Sequence, residues 1–159
     1  KKNAATLTGC LFGLGLVYPL DRYVIKFDTK GRWYSQIIKF VLDDQSKGSF
    51  RGELKIQPDA QKTEAYQTNR NILLSRQADM LTEPQLEIYA DDVKCSHGAT
   101  VGRLQPEELF YLRSRGIPKK EAELLQQLAF AYAVLEKIPN EILRERMMEM
   151  VEKRLRGGC

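Results

Sequence analysis

Histidine is almost missing from this chain: among 159 residues there is one, His97. Cysteine is scarce as well, at three, and Cys10, Cys95 and Cys159 are far apart and odd in number. Such a set makes no disulfide framework, and it predicts a reducing compartment, the cytoplasm. Charge of one sign is also lacking. The net value is +4 with acids and bases interspersed, whereas nucleic-acid binding calls for a clustered basic face, so no nucleic-acid partner is expected. Long hydrophobic runs are missing too. The most apolar stretch, LTGCLFGLGLVYPL at residues 7–20, carries glycines and a proline. It is too short to cross a bilayer and reads as a buried strand or two, with no membrane association and no secretory leader expected. There is no GxxxxGK[ST] phosphate loop, so this chain is not expected to bind or hydrolyse ATP.

What is present falls into two styles. The length suits one domain, or one with a small helical appendage, and is enough to bury a core. Up to about residue 104 the apolar residues alternate and show no helical period. Phe50, Leu54 and Ile56 share one face of a strand that Pro58-Asp59 ends, and Leu86, Ile88 and Ala90 share a face of another. Strands recurring at irregular intervals of roughly 15 to 20 residues suggest an all-β sandwich, barrel or solenoid. Gln67, Asn69 and Asn71 alternate ahead of Ile72-Leu73-Leu74. They suit either stacked hydrogen-bonded amide rows, as in cross-β structures, or a polar turn.

Beyond residue 104 the pattern is helical. Pro106, Glu107 and Glu108 suit a first helical turn, with Arg113 and Arg115 at the other end and Gly116 where a left-handed cap belongs. A second helix starts near Pro118 with the stripe Leu125, Leu128, Ala129, Tyr132 and Leu135, and Pro139 ends it. Asn140 caps a third, whose stripe is Leu143, Met147, Met150, Val151 and Leu155. The cluster at residues 109–116, LFYLRSRG, is dense in the aromatic and arginine residues that dominate interfaces. Phe110, Tyr111, Arg113 and Arg115 are its candidates for partner binding, while Leu109 and Leu112 are expected to pack internally.

The junction between the two styles, ADDVKCSHGATVG at residues 90–102, holds the chemistry. On an extended strand Val93, Cys95 and His97 point the same way. A thiol and an imidazole at i and i+2 suit one soft metal ion or one partner surface. Two ligands do not close a site that ordinarily needs about four, so the rest would come from elsewhere, including another chain. Packing of Cys95 as a small hydrophobe is the competing reading. Asp91 and Asp92 are adjacent, which puts them on opposite faces of a strand. They are expected to serve a turn rather than to act as the carboxylate pair of a polysaccharide-acting β-helix enzyme.

Three stretches carry a family resemblance: PDAQKTEAYQTNRNILLS at residues 58–75, PQLEIYADDVKCSHGATVG at 84–102 and LFYLRSRGI at 109–117. Together with residues from 39 onward they resemble the SufB/SufD family of the Suf iron–sulfur cluster assembly system, on its SufD side. Residues 1–38 match poorly. The family's histidine-bearing strand, in a pattern like VDNHT, has as its nearest counterpart Leu20-Asp21-Arg22-Tyr23-Val24, without histidine. The family's longer N-terminal helical region has no counterpart, so the chain is expected to be a C-terminal portion.

The resemblance implies a mainly β fold. A right-handed parallel β-helix, a single-stranded solenoid, would span residues 1–104, and a C-terminal domain of three helices would span 105–159. It implies a non-enzymatic scaffold that pairs with a SufB-like protein through the β-helix and docks a SufC-like ATPase on the helical domain. His97 and Cys95 would then be cluster-assembly residues whose missing ligands the partner chain supplies. No cofactor is expected to stay on this chain alone: an iron–sulfur cluster passes through the complex, and ATP binds the partner. The isolated chain is expected to form a homodimer through its exposed β-helix edge.

Overall fold

The computed structural model describes the backbone of residues 3–14 and 17–157 and the side chains of residues 24–157. The side chains of Cys10 and of residues 20–23, and the whole of Cys159, lie outside the described residues. The chain divides into two compact units, Lys1–Val101 and Gly102–Cys159.

The first unit contains β1 (Asn3–Leu14), β2 (Val17–Phe27), β3 (Arg32–Asp43), β4 (Lys47–Ile56), β5 (Glu64–Leu73), β6 (Asp79–Ile88) and β7 (Lys94–Gly102). Odd strands form one sheet in the order β1-β3-β5-β7, and even strands form the other in the order β2-β4-β6. The registered pairs are parallel. The chain therefore steps from one sheet to the other and back, adding one rung at each circuit, which is a parallel β-helix. Of the sandwich, barrel and solenoid, the solenoid is the one formed. Its strands start at residues 3, 17, 32, 47, 64, 79 and 94. The starts lie 14 to 17 residues apart, at the short end of the 15 to 20 expected and more regular, because each strand must stack on the one a full circuit earlier.

That circuit is 31 residues for several contacts. Gln67 lies over Gln36, Asp92 over Gln61 and Ser75 over Asp44. The turns stack as the strands do. Asp44 adopts a positive φ of 53°. Its backbone N–H is held by its neighbour's carboxylate, Asp43 Oδ1, at 2.8 Å, the local bonding that lets Asp residues hold turns. Gly31, at φ 73°, supplies the left-handed residue before β3.

Inward-facing side chains form two apolar clusters. One contains Phe27, Tyr34, Leu54, Ile56, Ala60, Ala65 and Ala90. The other contains Ile38, Phe40, Leu42, Phe50, Ala78 and Met80. Phe50, Leu54 and Ile56 are fully buried, as their alternation predicts. The trio in the next strand behaves differently. Leu86 is half-buried and Ala90, beyond the strand, is buried, but Ile88 is exposed. Ile88 pairs with buried Ile56, but β6 is the last strand of its sheet, so no further rung covers it.

The second unit holds α1 (Pro106–Ser114), α2 (Lys119–Leu135) and α3 (Glu141–Leu155). At the end of α1, Gly116 has φ 87°. Its N–H bonds Arg113 O at 3.0 Å, and that of Ile117 bonds Leu112 O at 3.2 Å. This pair of bonds satisfies two otherwise orphaned helix carbonyls, the Schellman arrangement. Asn140 Oδ1 accepts the Leu143 N–H at 2.9 Å and caps α3 as expected. Gln126 ties α1 to α2: its side chain both donates to and accepts from the backbone of Gln105, at 3.1 Å each. Arg156 at the end of α3 reaches Glu121 on α2.

Two helical stripes need correction. In α2 the buried residues are Ala122, Leu124, Gln126, Leu128, Ala131, Val134 and Leu135, while Leu125 and Ala129 are exposed. The helix carries apolar residues on two faces, and only one meets α1 and α3. In α3 only Val151 is buried, and Leu143 and Met150 are exposed. A three-helix unit this small cannot cover both sides of its helices.

Candidate functional site

β7 follows a turn at Asp91-Asp92. Both aspartates are exposed; the N–H of Asp92 bonds Gln61 Oε1 at 2.9 Å and its carbonyl accepts from Lys62. They stack one turn on another, which is the structural role expected of them. The strand that follows carries Cys95, half-buried, and His97, exposed. Alternation keeps the two on one face of β7, but their surroundings differ. Cys95 packs with Val93 against the cluster of Phe27, Tyr34 and Leu54. Burial pushes its thiol pKa up, opposed by a hydrogen bond from the Ala65 backbone. On this chain alone Cys95 is therefore a protonated thiol at neutral pH, and a cation or metal would have to be added to lower its pKa.

His97 lies beside a depression of about 270 Å³ that it lines with Gln67, Thr68, Asn69, Arg70, Ser96 and Thr100, among others. Beneath it the solenoid interior is polar. Gln67 Nε2 donates to Gln36 Oε1 at 2.9 Å. Asn71 Nδ2 donates to Asn69 Oδ1 at 2.7 Å and to Thr100 O at 2.9 Å. Thr82 Oγ1 donates to Asn69 Oδ1 at 2.8 Å. The alternating amides thus lie on a strand and not in a polar turn, but of the three only Gln67 stacks on an amide of the neighbouring rung, while Asn71 bonds Asn69 along the same strand. Sequence reasoning missed Gln36. The signal was its offset of one circuit, 31 residues, from Gln67.

Among the described residues no three His, Cys, Asp or Glu side chains converge on one point. β7 ends its sheet, so one edge of the strand bearing Cys95 and His97 has no neighbouring strand. On α1, Phe110 is 75% exposed and Tyr111 57%. The guanidinium of Arg115 lies 5.2 Å from the centre of the Tyr111 ring, and Arg113 is exposed. Leu109 and Leu112 are half-buried, on the inner side of the helix as expected.

This geometry can be set beside known proteins. The family model described as SUF system FeS cluster assembly, SufBD core domain, matches residues 23–130. The chain belongs to the SufBD family. It is 44% identical over 124 residues to the iron–sulfur cluster assembly protein SufD of Escherichia coli (strain K12), covering 78% of this chain and 29% of that protein. To the protein of the same name from Bacillus subtilis (strain 168) it is 38% identical, covering 73% of this chain and 26% of the relative. To the chloroplastic protein ABCI7 of Arabidopsis thaliana it is 37% identical, covering 70% and 24%. The chain thus spans less than a third of the length of these relatives. The matched region takes in the whole of β3 to β7 and most of α2, so both Cys95 and His97 fall within the part that defines the family. No helix among the described residues is long and apolar enough to cross a membrane.

Proposed function

We propose that this chain is part of a non-catalytic scaffold subunit of the Suf assembly machinery. It pairs with a SufB-like protein along the open β7 end of the β-helix and docks a SufC-like ATPase on the helical unit. The observation that carries the reading is the placement of His97: an exposed imidazole on an edge strand, with a thiol at i−2 and too few neighbouring ligands to hold metal alone. An edge strand is an invitation to pairing, and a partner strand brought there would place its own ligands beside His97. The iron–sulfur cluster is then cargo assembled at the seam and passed on. Exposed Phe110 and Tyr111, with Arg113 and Arg115, supply the aromatic and arginine anchors expected of the ATPase-docking face. Without a SufB-like partner, the same edge favours self-pairing into a homodimer.

The test is co-purification of the full-length protein with SufB-type and SufC-type partners, as wild type and as His97→Ala, counting iron and sulfide on each complex. The expected result is that both complexes assemble and only wild type gains cluster. Equal loading of the two would assign the assembly chemistry to the partner alone, and failure of either partner to bind would overturn the scaffold reading.

A further inference from the structure

Gln67 is 1% exposed, yet its carboxamide is only half satisfied. Nε2 donates to Gln36, while Oε1, equally buried, has no partner. A buried acceptor left unpaired costs about 1–3 kcal/mol, so its direction is informative.

Backbone bonds at the strand ends give that direction. Where Ile56 pairs with Ile88, the N–H of the following residue, Tyr89, bonds Ile56 O. Phe27, Ile56 and Gln57 repeat the relation, as do Leu42, Leu73 and Leu74. Lys94 N–H bonds Thr63 O at 2.9 Å, which by the same relation sets Val93 over Thr63. Cys95 then stands over Ala65, in agreement with the hydrogen bond from the Ala65 backbone to its sulfur. One pleat further, His97 stands over Gln67, and the two line the same depression. Gln36, Gln67 and His97 are therefore three successive members of one inward column. Because Gln67 uses its NH₂ on Gln36 below, it offers an oxygen above.

We propose that Gln67 is a positioning residue for His97. Its Oε1 accepts the imidazole N–H that faces the column, which in the neutral ring leaves the lone pair on the other nitrogen and turns that nitrogen toward the open edge. A neutral imidazole has one N–H and one lone pair. A buried carbonyl on the first therefore selects the tautomer and orients the second, the role outer hydrogen-bond partners play for metal-binding histidines. Gln36 acts one step further back: its Oε1 takes the Gln67 NH₂, while its own Nε2 has no partner among the described residues. The inference rests on the reading of His97 as a cluster-assembly group.

The test uses full-length protein with 15N-labelled histidine at one neutral pH, His97 signals being identified by their loss in His97→Ala. Wild type is expected to show one dominant tautomer and an imidazole N–H protected from solvent exchange. In Gln67→Met the protected proton disappears, the tautomers mix, and cluster loading of the partner complex falls about 10-fold. The double variant Gln36→Met/Gln67→Met leaves no amide unpaired, so it guards against a folding failure of the single one, and it is expected to give the same spectrum. An imidazole signal and loading unchanged in either folded variant would overturn the positioning role while leaving the role of His97 standing. Wild-type loading by His97→Ala would instead remove the parent reading and the inference with it.

Discussion

The side-chain amide of Gln67 donates to that of Gln36 at 2.9 Å across 31 residues of chain. The contact spans one circuit of the solenoid. It puts hydrogen-bonding groups where a β-helix would otherwise hold apolar side chains, and it runs toward the strand that bears His97.

Asn69 is the most heavily bonded member of this interior. It donates to Ile38 O and accepts from both Asn71 and Thr82. Asn69→Leu is expected to destabilise the protein by about 2–4 kcal/mol, because it orphans buried groups on neighbouring strands as well as losing its own bonds. Urea unfolding checks this: the midpoint should drop with little change in slope.

Gly48 faces its register partner Met80. A Cβ built there would meet Met80 Sδ at 2.6 Å and Leu42 Cδ1 at 3.0 Å. Gly48→Ala is expected to cost about 1–3 kcal/mol by overpacking. Gly48→Ala with Met80→Ala should cost less than the sum of the two singles, which a double-mutant cycle measures.

The Cys95 thiol is raised by burial in the folded chain. Alkylation of Cys95 by iodoacetamide near neutral pH should be slower than that of an unfolded control, read peptide by peptide by mass spectrometry. Linkage has a definite sign. The folded state holds the proton more tightly, so the stability from this group is full below the unfolded thiol pKa. It is lost as pH rises through the folded value. Cys95→Ala should flatten that alkaline loss.

Phe110 is 75% exposed on α1, so Phe110→Asp is expected to leave the melting temperature within about 2 °C of wild type. Under the scaffold reading the same change should weaken binding of the SufC-type ATPase at least about 10-fold, since aromatic anchors dominate interfaces. Calorimetric titration of the full-length variant with the ATPase measures both the affinity and its loss.

The helical half shows how far pattern reading reaches. Its three helices, the Gly116 stop and the Asn140 cap follow from local chemistry alone, because caps and breakers act within a few residues of themselves. Which apolar stripe of α2 is buried does not follow. Leu125 and Ala129 have the same spacing credentials as Leu124 and Leu128, and only the positions of α1 and α3 separate them. In the β half, alternation predicts strands but cannot say which strands stack. The amides at Gln67, Asn69 and Asn71 stood equally well for a turn or a ladder until Gln36 appeared one circuit below.

What the sequence by itself determined is local or carried by motif: strands before residue 104, helices after it, the family resemblance, and the pairing of Cys95 with His97 on one strand. Each depends on periods, caps or identities a few residues apart. Tertiary structure decided what depends on stacking. It wound the strands into a solenoid, gave Cys95 an apolar neighbourhood that raises its thiol pKa, and left His97 exposed on a strand with one edge unpaired. It also brought Gln36 and Gln67 into one column. These contacts join residues a full circuit apart, and parallel register, which no local period encodes, sets which side chains meet.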